Sequence, residues 1–321
     1  KSDFLLALLI LGFAVVVHRS HMVIVGLAVP VAGLALLLTA GRRAWLAIGL
    51  IAVAAVAGVA ELKTYSVAAE KASGKVASIN PFLSARIISD GPGYAYLEEH
   101  CPDDAIATCK LFEALAKSDN PARLDAAQMI FNRTEELGSF KLLDQEDQIR
   151  IGREQRAFYI NVFLDRPLDV TASIIRNTLK QTFLTSIQMT VPNDSTTQML
   201  KRSLGPNLDV GRLADDRSWI ATVYVAHNVV YALSLAVIAL LAVVPGFSTR
   251  EMRIFAGFVI IGILINAFVC GAVSQPAARY GARVIWLLPF VAALMSLVAL
   301  RLRLRAGVAS FGTPIGREPA E

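Results

Sequence analysis

The densest group of side chains able to do chemistry is Arg86, Asp90, Glu98, Glu99 and His100, in the stretch PFLSARIISDGPGYAYLEEHC that begins at Pro81. Carboxylates beside an imidazole can pass protons as general acid and base, and Asp90, Glu98 or Glu99 is then the candidate base. The competing reading is that these residues cap helices, shape the turn Asp90-Gly91-Pro92-Gly93 and keep a surface wet, and the spacing favours it. The glycines of that turn are not a phosphate loop, because no Gly-Lys-Ser/Thr follows and no strand precedes. A second cluster is Arg279-Tyr280-Gly281-Ala282-Arg283. Two guanidinium groups can hold a phosphate or carboxylate bidentately; the plainer alternative is that they snorkel at a membrane surface. The candidate ligand-binding residues are therefore Arg279, Tyr280, Arg283, Arg86 and Asp90. No residue is assigned a catalytic role, and no cofactor or metal is expected. Only His100 lies near Cys101 and Cys109, whereas a closed zinc site needs four ligands.

These residues must be positioned by a chain built for a membrane. Its 321 residues are 55% hydrophobic, only 18% charged, and have a mean hydropathy of +0.54. Soluble domains carry about 25% charged residues. The net charge of +5 does not describe a nucleic-acid groove. Lys63–Arg217 holds 19 Lys and Arg against 21 acids, a net of −2, and the remainder carries +7. Positive charge is thus concentrated beside the apolar segments, as the positive-inside tendency requires, and nucleic acid is not an expected partner.

Six apolar segments can be read. Phe4–Val17 is short for a hydrocarbon core of about 30 Å. Either it continues upstream of Lys1 or it lies tilted and partly interfacial. It is not expected to be a cleaved signal, since His18-Arg19-Ser20-His21 offers no small-x-small site. Met22–Ala40, with Pro30 inside it, and Ala44–Ala60 follow. Trp219–Val244, Ile254–Val273 and Val284–Leu300 form the second block. Trp219, Tyr224, Tyr280 and Trp286 fall near span ends, where amphipathic rings favour the interface. With Gly41–Arg43 in the cytoplasm, eight Lys and Arg (Lys1, Arg42, Arg43, Arg250, Arg253, Arg301, Arg303 and Arg305) lie inside. Three (Arg19, Arg279 and Arg283) lie in short outside loops. That split expects both termini in the cytoplasm and the large insert outside, which in a Gram-negative bacterium is the periplasm.

The insert reads as helical, with no run of alternating β-branched residues. Helices are expected over Phe82–Ile88, Tyr94–His100, Ala105–Ala116 (started by Asp103 and Asp104), Ala122–Asn132 and Asp144–Leu164. A mobile stretch surrounds Gly138. Leu168–Met189 is amphipathic, with Leu168, Ile175, Leu179, Phe183 and Ile187 at a period near 3.6. That stripe can face the membrane surface or the core of the helical domain, and the core is the expectation, because only Arg176 and Lys180 offer charge to headgroups. Val191–Arg217 is an irregular return. Cys101 and Cys109, eight apart in an exported domain, can form a local disulfide, against the alternative of two reduced thiols. His227, Asn228 and Asn266 lie inside spans and are expected to make hydrogen bonds between helices rather than a proton path.

Two stretches also carry a resemblance. PFLSARIISDGPGYAYLEEHC with Cys109, and CGAVSQPAARYGARVIWLLP with the final helix, resemble the exported segment and last outer loop of uncharacterised proteobacterial inner-membrane proteins. That resemblance implies topology and no activity. The Tyr-Gly-Ala-Arg loop is also similar to C-terminal spans of lipid-linked-sugar glycosyltransferases, but the acidic loop of those enzymes is missing between the first two spans.

The expected protein is all-α, with about six transmembrane helices, three plus three, flanking a mainly helical extracytoplasmic domain. Residues 1–62 hold spans one to three, 63–217 the periplasmic domain, 218–305 spans four to six and 306–321 a cytoplasmic tail. The expected function is non-catalytic: an inner-membrane envelope protein that binds or scaffolds a lipid, glycan or protein partner through the periplasmic domain. The alternative is a glycosyltransferase-like membrane enzyme acting on a lipid-linked substrate.

Overall fold

The computed structural model describes residues 78–133, 137–188 and 218–311, together with scattered positions between 49 and 74 and residues 202, 203 and 205; for 306–311 only the backbone is described. The first two expected spans lie outside the described residues, and Ala44–Ala60 and Val191–Arg217 do so in large part. Every element among the described residues is helical. The chain divides into two compact units: residues 1–181 with 265–277, and residues 182–264 with 278–321.

The first unit is a cluster of short helices around one long one. Helix α1 is Phe82–Ser89, α2 Pro92–His100, α3 Thr108–Ala116, α4 Ala126–Phe131 and α5 Gln145–Asp165. A 3₁₀ turn, Pro121–Leu124, precedes α4, and another, Phe140–Leu142, precedes α5. Helix α6, Pro167–Phe183, follows directly. Ile87 and Ile88 of α1 enter a core with Leu97, Leu111, Leu115, Met129, Phe140, Ile151, Phe158 and Val162. Phe82, expected on the same apolar face, stays 45% exposed.

Local signals set several boundaries as read. Asp144 caps α5 by accepting from the Asp147 amide at 2.8 Å, and Glu146 and Asp147 place negative charge in its first turn. Pro167 takes the first position of α6, and Pro92, expected in the turn before a helix from Tyr94, takes the first position of α2; the missing N–H costs nothing there.

Four expectations are corrected. Asp103 accepts from the Ala105 amide, but this closes only a turn; α3 begins at Thr108. The helix expected over Ala122–Asn132 is broken at Asp125, which caps α4 through the amides of Ala127 and Gln128. The stretch around Gly138 is packed: Gly138, Ser139 and Phe140 are buried. Gly138 has φ +58°, and a Cβ there would stand 2.0 Å from the Ala114 carbonyl oxygen. Finally, the apolar stripe of α6 does not face the domain core. Leu168, Ile175, Leu179 and Phe183 are 83%, 55%, 58% and 73% exposed, while the buried face is Val170, Ser173, Asn177 and Gln181.

The second unit contains helix α7, Ser218–Val243, most of α8, Arg250–Phe268, the short α9, Ala278–Ala282, and α10, Leu287–Phe311. Ile238, Met252, Ala256, Leu288, Val291 and Met295 form its core. Among the described residues, three stretches are long and apolar enough to cross a membrane: Ser218–Val243, Arg250–Val273 and Ala278–Arg305. They match the last three expected spans and make the chain a membrane protein. Their outward residues, among them Val225, Leu233, Leu240 and Val243, are apolar, as lipid contact requires.

Candidate functional site

Arg86 and Asp90 sit one helical turn apart at the end of α1, where i and i+4 side chains share a face. The Arg86 Nε donates to Asp90 Oδ2 at 3.0 Å, and its Nη2 donates to Asp90 Oδ1. Asn177 of α6 donates its Nδ2 to both carboxylate oxygens, at 2.9 Å each. All three side chains are shielded: Arg86 is 5% exposed, Asn177 6%, and the Asp90 side chain 10%. A carboxylate accepting a bidentate guanidinium and an amide has its lone pairs committed. Removing that carboxylate by substitution would leave the Arg86 charge buried without a counter-ion. Nearby, burial first and the Asp90 charge second raise the Tyr159 hydroxyl above the usual tyrosine range, with Arg86 opposing, so Tyr159 stays a neutral phenol.

Of the other acids of the cluster, Glu98 is exposed and Glu99 is engaged. Glu99 accepts from Arg166 Nη2, and that hydrogen bond holds the Glu99 carboxyl below the usual glutamate range. The His100 ring stacks on Tyr96 at 4.0 Å between centroids, and its Nδ1 lies 2.8 Å from the Tyr96 carbonyl oxygen. Cys101 and Cys109 lie at disulfide distance.

Beside the Asp90 joint is an open cleft of about 280 Å³ lined by Asp90, Pro92, Ala95, Arg166, Asp169 and Arg176, among others. Its charged rim could take a small polar group. Among the described residues, no three His, Cys, Asp or Glu side chains converge as metal ligands would.

The second candidate cluster belongs to the other unit. Arg279 donates to the Tyr280 hydroxyl at 3.0 Å and its guanidinium carbon lies 4.9 Å from that ring's centroid; the Arg283 guanidinium lies 6.0 Å from it. Trp286 donates its indole N–H to the Arg283 carbonyl at 2.9 Å, which ties the end of α9 to the start of α10. Both arginines are exposed. The Tyr280 ring thus has a guanidinium within cation–π distance from each of two arginines, and guanidinium groups suit anionic ligands. The five candidate residues thus form one joint, Arg86 with Asp90, and one cationic group, Arg279 and Tyr280 on α9 with Arg283 just after it, where the sequence leads one to expect a loop.

The polar residues inside spans make both local and long-range contacts. Asn228 accepts from the Thr185 hydroxyl at 2.9 Å, the His227 ring lies 5.9 Å from that of Tyr231, and Asn266 faces the Cys270 thiol one turn on.

Three residues that matter here were not singled out from sequence. Asn177 completes the Asp90 joint. Glu154 of α5 caps α3, accepting from the amides of Ala107 and Thr108 at 3.0 and 2.8 Å and from the Thr108 hydroxyl at 2.8 Å. Gln181 donates to the Ala277 carbonyl at 3.2 Å and accepts from the Ala277 amide at 2.8 Å. Their partners lie 46 to 96 residues away, beyond any local signal. No family model, curated protein or solved structure matches the chain.

Proposed function

We propose that this chain is a non-catalytic bacterial inner-membrane protein that binds or scaffolds a lipid, glycan or protein partner through its helical extramembrane domain. The observation that carries the reading is the saturation of Asp90. The best-placed acid of the densest polar cluster is bound by Arg86 and Asn177, in a joint between α1 and α6, and holds no open coordination for a substrate proton. The glycosyltransferase-like alternative needs a free acid facing a lipid-linked substrate; pairing of Asp90 and Glu99 weighs against those two as its base and leaves the exposed Glu98 as its candidate.

The topology proposed with this function has six spans, both termini cytoplasmic and the helical domain periplasmic. The eight-to-three distribution of Lys and Arg supports the orientation. A cysteine pair at disulfide distance in the helical domain supports an oxidising compartment. The exposed pair Arg279 and Arg283 is the proposed contact for an anionic group, and the Asp90–Cys109 region is the proposed partner face.

Mass spectrometry of the protein released from native membranes in mild detergent tests the reading. A stoichiometric protein, glycan or lipid is expected on the wild type and is expected to be depleted from the Arg279→Ala, Arg283→Ala double variant. Equal retention by the double variant would remove the arginine assignment. Conversion of a lipid-linked sugar by the purified wild type would replace binding with catalysis.

A further inference from the structure

Helix α6 is inverted relative to an ordinary domain helix. Its polar residues Ser173, Asn177 and Gln181 are 4%, 6% and 1% exposed, while Leu168, Ile175 and Leu179 point outward. An apolar stripe of this length left in water is unfavourable by about 25 cal/mol for each Å².

What lies beside α6 indicates what covers the stripe. Its buried face is fastened to the far end of a membrane-crossing stretch, all within one compact unit. Gly271 is so close that a Cβ on it would stand 2.6 Å from the Asn177 carbonyl oxygen. Four residues after that stretch ends, the backbone of Ala277 exchanges two hydrogen bonds with the Gln181 side chain. Gln275, between them, donates to Asp125 at 2.5 Å and accepts from the Ala127 amide at 3.1 Å. The stretch Arg250–Val273 has 24 residues. At about 1.5 Å per residue this exceeds a hydrocarbon core of about 30 Å, so its Val273 end emerges at the headgroup level. A helix clasped to that end is held at the same level.

Charge agrees with that placement. Arg176 and Lys180 are exposed and lie at the edge of the stripe, where they reach lipid phosphates, with Asp169 the one acid on that flank. We infer that α6 is an interfacial membrane helix, whose Leu168, Ile175 and Leu179 are immersed in the acyl boundary of the bilayer that the α8 stretch crosses, with Arg176 and Lys180 on its phosphates. This goes beyond the partner reading and does not depend on it: retention of a co-purified partner and immersion of α6 are separate measurements.

The test is nitroxide labelling of Ile175→Cys and Leu179→Cys, one at a time, in the full chain reconstituted into vesicles of phosphatidylcholine and phosphatidylglycerol. Both positions are exposed, so the label displaces no core. Glu113→Cys on the exposed side of α3 is the aqueous control. Collision rates with oxygen, which concentrates in acyl chains, are compared with those of a water-soluble nickel chelate. At 175 and 179 oxygen is expected to exceed nickel several-fold, and at 113 the order is expected to reverse. Nickel exceeding oxygen at 175 and 179 would place the stripe in water and overturn the inference. Suppression of both collision rates would overturn it too, by showing that protein covers the stripe, whether the first three apolar segments, a second copy or another chain.

Discussion

Asn177 holds both carboxylate oxygens of Asp90 at 2.9 Å, across 87 residues of sequence. The bond joins α1 to the buried polar face of α6, in the same unit whose segment 265–277 runs along that face. A side chain read as a candidate base is therefore a fastening point, and the consequences can be measured.

Glu154 should behave as a remote helix cap. Losing a capping carboxylate costs about 0.5–2 kcal/mol. Glu154→Ala is expected to speed hydrogen exchange at the Ala107 and Thr108 amides by roughly tenfold, since 1.4 kcal/mol is a factor of ten. Glu154→Gln, which keeps an acceptor, should lose less. Unchanged exchange in the alanine variant would show that the cap carries no weight.

The Glu99 pair gives a pH dependence with a definite sign. Hydrogen bonding from Arg166 lowers the folded-state pKa of Glu99. Its contribution to stability is thus complete above the unfolded value, about 4.3, and is lost as pH falls through the depressed folded value. The pair is exposed, so the energy is small. Carbon-detected NMR titration should find the Glu99 midpoint below that of an ordinary glutamate, and Arg166→Gln should move it back up. The same midpoint in both proteins would contradict the assignment.

The cysteine pair should stabilise the turn between α2 and α3. Closing a loop between residues eight apart restricts the unfolded chain by about 2.5 kcal/mol in the chain-entropy treatment. Purification without reductant is expected to yield protein that takes up no alkylating reagent at Cys101 or Cys109 until reduced. The Cys101→Ser, Cys109→Ser variant is expected to melt several degrees lower. Two freely alkylated thiols in protein from intact cells would remove both the bond and the support it lends to an exported domain.

Much of the architecture was legible because its causes are local. The last three spans follow from apolar length alone, and the start of α5 from Asp144, whose cap reaches three residues along its own chain. The beginning of α3 was not legible, because Asp103 and Asp104 are good local starters but the amides at its real start are satisfied by Glu154, 46 residues on. Helix α6 shows a different limit. Its period was readable, but period fixes which residues share a face and not which face is buried. That was decided by hydrogen bonds to Asp90 and Ala277, which made the polar side the inner one. Of the candidate site residues, the neighbours Arg86 and Asp90 could be grouped by their i, i+4 spacing, and Arg279, Tyr280 and Arg283 by adjacency; Asn177 had no sequence signal linking it to either.

The most direct measurement is hydrogen exchange at the Ile88 and Leu97 amides in the full chain carrying Asp90→Asn, against Asp90→Leu combined with Arg86→Met. If Asp90 is a structural joint, the single variant leaves Arg86 buried and uncompensated, a cost of about 3–5 kcal/mol, and protection of those core amides should fall by roughly a hundredfold or more. The double variant, which removes both charges, should recover most of that protection. Undiminished protection in Asp90→Asn would show that the carboxylate bears no structural load, and would return Asp90 to the position of a candidate catalytic base.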